Sequence, residues 1–348
     1  MRRSLATCVA AALTAAACGG GGKAGGPVTL TLVAYDSFTP PASVWKTFER
    51  RSGIRVKVLL DGDGGEIVNK AVLTKDAPLG DVLFGVDSTF LSRAVDAGIF
   101  APHRSPLLPK LRADVRELVP GHEATPVDVS DVCVNTDKTA FAKLGLAPPT
   151  TLDELAEPRY RGQLVVENPA TASPGLAFML ATRARYGDRW LDYWKRLRTN
   201  GVKVVDGWTR AYEGEFSAGG GKGTHPLVVS YASSPPAAVL FSDHPDATTT
   251  PVGVLDDSCF RVAEFAGVLA GTKQADEAGK LVDFLAGRTF QQAMPLSLFV
   301  FPVNEQAVLP PLFRRFARLP SHPLSIPPAQ IEANRDRWIR QWTDTVLR

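Results

Sequence analysis

Residues 28–38 read VTLTLVAYDSF. Val28, Leu30 and Leu32 alternate with Thr29 and Thr31 and then run on into Val33-Ala34, as in a strand entering the middle of a sheet covered on both faces. The apolar run stops at Tyr35-Asp36-Ser37-Phe38. Ligands of open α/β sheets sit beyond the carboxyl ends of the strands, so an aromatic ring, a carboxylate and a hydroxyl at that end are placed to meet a small molecule. A strand closed by an ordinary polar turn is the alternative reading.

Working outward, Thr39-Pro40-Pro41 opens a helix with Val44, Trp45 and Phe48 on one face and Gly53 as its stop. Ile54, Val56, Val58 and Leu60 then alternate with Arg55 and Lys57, which completes a β-α-β unit. The turn Asp61-Gly62-Asp63-Gly64-Gly65 leads into a helix carrying Ile67, Val68, Ala71 and Val72, and its amides can face an anion or simply close a tight turn. Asp81–Val86 is a third strand ending in polar groups, Asp87-Ser88, with Ser88 expected to cap the helix of Phe90, Leu91, Ala94 and Val95. Three successive strands thus end in polar residues along one edge.

Upstream, Arg2-Arg3 followed by the short apolar run Leu5–Ala17 has the form of a secretion signal over 1–17. Ala15-Ala16-Ala17-Cys18 resembles a lipobox, loosely, because Ala15 stands where leucine is usual. Cys18 is then the expected lipidated residue and 18–27, rich in glycine, a flexible tether. Removing 1–17 takes two arginines and no acid, so 39 Lys+Arg against 36 Asp+Glu becomes 37 against 36. A nearly neutral mature chain argues against nucleic acid as partner. Its length allows two lobes with cores of their own, and no later stretch is long and apolar enough for a membrane helix. Cys133 and Cys259 are expected to form a disulfide, since zinc would need further ligands at short spacing. The histidines, His103, His122, His225, His244 and His322, show no metal-binding spacing and read as surface residues.

Downstream, Val127–Val129 with Val132–Val134 reads as the crossing into a second lobe, and Thr150-Thr151 as the cap of a helix Leu152–Leu155. Leu164–Val166 is a strand whose exit, Glu167 to Gly175, leads into the helix Leu176–Ala181, with Ser173 as N-cap and Pro174 at the first helical position. That helix start is anion-ready as well. Trp190, Leu191, Trp194 and Leu197 at helical spacing read as core. The strand Val202–Val205 exits through Asp206-Gly207-Trp208 to Tyr212, and Leu227–Val229 through Ser230-Tyr231-Ala232-Ser233. A tryptophan just after a strand and a glycine is hard to use as core. Gly219–Gly223 is no P-loop, because Lys222 is followed by glycine and no helix. Cys259–Ala270 reads as a strand returning to the first lobe around Phe260, Val262, Phe265 and Val268. Helix Ala275–Leu285, an aromatic strand Leu298–Val303 and a last helix, Pro328–Leu347, complete the chain.

Together these stretches resemble the type II periplasmic-type substrate-binding proteins of ABC importers, and within them the thiamine-binding proteins. The likeness is carried by Tyr35–Phe38, Asp63-Gly64 with Asn69, Val82–Asp87, Asn168-Pro169 with Ser173-Pro174-Gly175, Gly207-Trp208 with Ala211-Tyr212, Ser230-Tyr231 with Ser233 and Pro235, and Phe290-Gln291 with Pro302-Val303. The resemblance implies two lobes, each a mostly parallel sheet flanked by helices, with crossing strands between them: 28–127, then 128–260, then 261–348 returning to the first lobe. It implies thiamine or its mono- or diphosphate held between the lobes, no resident cofactor or metal, no catalysis, permease subunits as partners, and a monomer tethered outside the cytoplasm by its lipid anchor. Tyr35, Trp208 and Tyr231 would supply aromatic faces, Asp36 or Asp87 a charge for the thiazolium, and Ser37, Asp63-Gly64, Ser173-Pro174-Gly175 and Tyr212 the hydroxyl or phosphate end. Ser233 belongs to the same set. Phe299 stands where such relatives carry tryptophan, and the loop Glu213–Pro226 looks long. Related folds also serve ferric iron and polyamines; Tyr231 lacks an adjacent tyrosine, and a polyamine would not obviously use Trp208. A thiamine-degrading enzyme would need a nucleophile that Cys133 and Cys259, in strand patterns, do not offer.

Overall fold

The computed structural model describes residues 27–220 and 222–348. The expected signal, Cys18 and nearly all of the tether lie outside the described residues.

Among the described residues ten strands form one continuous sheet: β1 (Thr29–Ala34), β2 (Arg55–Leu60), β3 (Val82–Asp87), β4 (Phe100–Ala101), β5 (Thr125–Asp137), β6 (Leu164–Glu167), β7 (Lys203–Val205), β8 (Leu227–Tyr231), β9 (Val252–Leu269) and β10 (Phe301–Pro302). The order β2-β1-β3-β9-β5-β8-β6-β7 places a parallel trio at each end, with the long antiparallel pair β5 and β9 crossing between them. This is the two-lobed α/β architecture that the β-α-β repeats and the crossing segments imply. Between the two β-α-β units the chain changes lobe along β5 and returns along β9.

In the first lobe, helix α1 (Ala42–Ser52) buries Val44 and Phe48 and ends at Gly53, in the left-handed region at φ 73°. Phe38, Phe84 and Phe290 meet in its core, with the Phe38 and Phe84 centroids 4.6 Å apart. In the second lobe Trp194 packs edge-on against Phe178 and Trp342, and its indole donates to Thr182 Oγ1 at 2.8 Å. Trp342 belongs to the last helix, Pro328–Val346, whose Arg335 donates to the Thr89 carbonyl and Ser92 Oγ of the first lobe. The last helix therefore touches both lobes. Cys133 and Cys259 are bonded across β5 and β9.

Several local expectations are corrected. Ser88 does not cap helix α3 (Leu91–Asp96); its amide and hydroxyl bond Ala263 of β9, while Asp87 Oδ1 accepts from the Thr89 amide and hydroxyl. The Ser173 helix runs to Tyr186 with Ala172 as N-cap, so Ser173 and Pro174 are its first two residues. Thr150-Thr151 precedes only a 3-10 turn, Glu154–Ala156. Leu298–Val300 is not strand: a helical turn, Met294–Ser297, precedes it, and Phe299 has φ 54°. Three histidines are half-buried rather than fully on the surface, His103 paired with Asp283, His225 beside Glu215, and His122.

Candidate functional site

A cavity of about 400 Å³ opens between the lobes at the carboxyl ends of the parallel strands. Tyr35, Asp36 and Ser37 line it from the β1 exit, Asp63 and Gly64 from the start of helix α2 (Gly64–Leu73), and Ser173, Trp208, Tyr212 and Tyr231 from the second lobe, with Phe299 at the rim. Asp87, Pro174, Gly175 and Ser233 are not on its wall. Asp87 and Ser233 are buried behind it. Gly175 lets the helix approach β6, since a Cβ there would lie 2.4 Å from the Glu167 carbonyl.

Local chemistry orients each ring. Tyr35 lies on β3 at Gly85, whose φ of 93° and missing Cβ leave space for it; a Cβ would fall 2.4 Å from the Tyr35 ring. Trp208 leads into a π-helical turn, Arg210–Glu215, of the kind often found at functional sites. The turn stacks Tyr212 flat behind Trp208, centroids 5.0 Å and planes 11° apart. Tyr212 thus backs the Trp208 ring. The Trp208 indole donates to Ser230 Oγ at 2.9 Å, which is itself 3.0 Å from Ser234 Oγ. Trp208 is thereby held by both a stack and a hydrogen bond.

The two anion-ready helix starts already hold a carboxylate of the protein itself. Asp63 caps helix α2, and its Oδ1 accepts from the Gly64 amide at 2.6 Å and, across the cleft, from the Ser173 amide at 3.2 Å. Its Oδ2 accepts from the Trp208 amide at 2.8 Å. Burial nevertheless raises the Asp63 carboxyl from its usual range to about 6, with the three amides pulling the other way. Asp63 is a clasp between the lobes, joined at the rim by Thr209 Oγ1 donating to Asp36 Oδ1 at 3.0 Å.

Some wall residues escaped the sequence reading. Phe241, carried by the second lobe, meets Phe299 of the first edge-on at 5.8 Å and helps to close the rim. Glu213 and Gly219 bring in the long loop, which Glu215 pins through Lys203 at 2.7 Å and Arg210 at 3.2 Å. Glu264 of β9 lies on the floor. Its signal was a lone carboxylate inside an apolar strand. The wall carries four carboxylates, Asp36, Asp63, Glu213 and Glu264, and no Lys, Arg or His among the described residues. Among those residues, too, no group of three or more His, Cys, Asp or Glu is arranged to hold a metal ion.

Residues 77–315 match the family described as bacterial extracellular solute-binding protein. The thiamine-binding periplasmic protein of Salmonella typhimurium strain LT2 is 29% identical over 327 residues, 92% of this chain and 94% of that protein. A solved structure titled periplasmic thiamin binding protein superposes with a TM-score of 0.80 at 28% identity, covering 92% of this chain and 96% of that one. The ferric binding protein from Campylobacter jejuni shares the fold, with a TM-score of 0.70 at 17% identity over 91% of this chain and 99% of its own. The architecture is that of the type II periplasmic binding proteins.

Proposed function

The chain belongs to the bacterial extracellular solute-binding protein family, and on that premise we propose that it captures thiamine between its lobes and hands it to the permease subunits of an ABC importer. Its relatives are substrate-binding transport proteins rather than enzymes, which supports an extracytoplasmic solute-binding role. The observation that carries the choice of ligand is the cavity wall, aromatic on its faces and acidic with no countercharge among the described residues. Such a wall selects a flat organic cation. The thiazolium ring is a fixed cation, attracted to each aromatic face by about 0.5–2 kcal/mol and to the carboxylates more strongly as the closing cleft sheds water.

The clasp ranks the phosphorylated forms. With the Gly64, Ser173 and Trp208 amides engaged by Asp63, a phosphate would meet a like charge where it needs donors. Thiamine is therefore expected to bind ahead of its monophosphate and diphosphate. The signal over 1–17, a lipid on Cys18, the tether 18–27, the lobe limits 28–127, 128–260 and 261–348, and a monomeric working state belong to the same proposal.

Isothermal titration of the purified chain with thiamine and its two phosphates side by side tests it. Tight binding, thiamine first, is the expected result; absence of heat with all three discards the ligand assignment. Trp208→Ala removes the ring that both stack and hydrogen bond hold in place and is expected to weaken thiamine at least about 30-fold, roughly 2 kcal/mol as for a buried aromatic anchor. An unchanged titration would remove Trp208 from the site.

A further inference from the structure

Three buried carboxyl groups meet at the floor of the cleft. Glu264 on β9 sits opposite Asp87 on β3 and opposite Asp128 on β5 in the two ladders, and like charges directly across a ladder repel. Asp128 and Asp87 are 0% and 1% exposed and Glu264 8%. Both oxygens of Asp128, Oδ2 of Asp87 and Oε2 of Glu264 have no hydrogen-bond donor. Glu264, more than nine-tenths buried with an unpartnered oxygen, lines the cavity.

Among the described residues no cation answers them. Facing Glu264 are Asp87 of β3, Asp128 of β5, Asp63 at the start of α2, and the phenols of Tyr35 at the β1 exit and Tyr231 at the β8 end. Glu167 at the β6 end faces Asp63 and Tyr231. Arg261, three residues back on β9, is committed to Asp131 by two bonds of 2.9 and 2.8 Å. Arg335 of the last helix is engaged with Thr89, Ser92 and Asp336.

We propose that Glu264, backed by Asp128 and Asp87, is the counter-ion for the positive charge of the bound ligand, and that the three carboxyls surrender a proton when the ligand enters. This rests on the reading of the site as one for an organic cation. In the empty cleft a shared proton keeps the facing carboxyls apart in charge, and burial holds Glu264 and Asp128 protonated well above the ordinary carboxyl range. When the cation arrives, one carboxyl O–H bond breaks, its proton passes to solvent, and the carboxylate left behind pairs with the ligand. Nothing is oxidised or reduced. A merely structural acid pair would keep its proton throughout.

Thiamine titrated calorimetrically into the full chain at pH 7, in phosphate and in Tris buffers of different ionisation enthalpy, distinguishes the two. The expected result is a net release of close to one proton and a Kd that falls up to about tenfold per pH unit between pH 6 and 8. Glu264→Gln is expected to abolish the release and weaken binding at least about 30-fold, with a cooperative melt showing that it folds; Asp128→Asn is expected to lose the release while binding better than Glu264→Gln. Tight thiamine binding with equal heats in both buffers, or unchanged binding by a folded Glu264→Gln, overturns the proposal and leaves the function standing. No thiamine binding by the wild-type chain removes both.

Discussion

Raising the pH from 5 to 8 lowers the melting temperature of the ligand-free protein by roughly 5–10 °C, the reverse of what salt-bridged surface carboxylates produce. The cause is the set of acids buried at the cleft without countercharge. Asp63 holds its proton to about 6 when folded and to its usual 3.8 when unfolded, so over that window the folded state carries more protons. Stability therefore falls as pH rises through it and is level above the folded value. Between pH 5 and 8 Asp63 alone contributes about 1.4 kcal/mol of loss, most of it by pH 6. The Asp128 and Glu264 pair, raised by burial and by each other, extends the fall toward neutrality and adds at least as much again. For a chain of this size each kcal/mol moves the melt by about 2 °C. Asp114 and Glu215, held low by Arg112 and Lys203, lose their contribution only below this range. Differential scanning calorimetry at half-unit steps checks the slope. A melting temperature that climbs steadily to pH 8 would sink the assignment of these acids as uncompensated. Glu264→Gln should flatten the curve, and bound thiamine should rescue the high-pH side most.

Breaking the Cys133–Cys259 bond costs up to about 5 kcal/mol of stability. The cysteines are 126 residues apart, and closing so long a loop removes roughly that much chain entropy from the unfolded state in the loop-entropy model. Position adds to length. The bond joins β5 to β9 where their register shifts, between the Val132–Phe260 and Val134–Leu255 pairs, and Ser258 Oγ accepts from the Val134 amide in the same irregularity at 2.8 Å. Both cysteines are fully buried. A Cys133→Ala, Cys259→Ala double variant should unfold at a clearly lower urea midpoint with a somewhat steeper slope, because the unlinked denatured chain exposes more surface. Thiamine affinity should stay within about threefold of wild type, because the remaining ladders keep β5 and β9 together. Identical midpoints would mean that the bond adds nothing to folding.

The clasp and the acid floor show where sequence reading stops. The glycine-rich turn Asp61–Gly65 and the start at Ser173 read as two separate anion-ready sites, and both do present amides inward. Only the packed lobes reveal that a single carboxylate, Asp63, fills both and takes the Trp208 amide too, because those three amides are 110 and 145 positions away from Asp63 or adjacent to it. Phe299 reads as strand from its apolar neighbours, yet its backbone turns left-handed to close the rim. Strain of this kind at a site, on the order of 1–3 kcal/mol, is sustained by surrounding packing and leaves no local sequence mark.

From its own periodicities the chain determined the β-α-β units, the polar strand exits around Tyr35 and Trp208, the crossing at Val127–Val134 and the pairing of its two buried cysteines. These depend on neighbours a few residues apart, or on there being one possible partner. Tertiary structure alone decided that Tyr212 backs Trp208, that Phe241 meets Phe299, and that Asp87, Asp128 and Glu264 converge with no cation among them. Asp87 reads singly as a polar strand exit, and Asp128 and Glu264 each as a polar residue in an apolar strand; that the three face one another follows from β-ladder register, and register is set by the packing of the whole sheet.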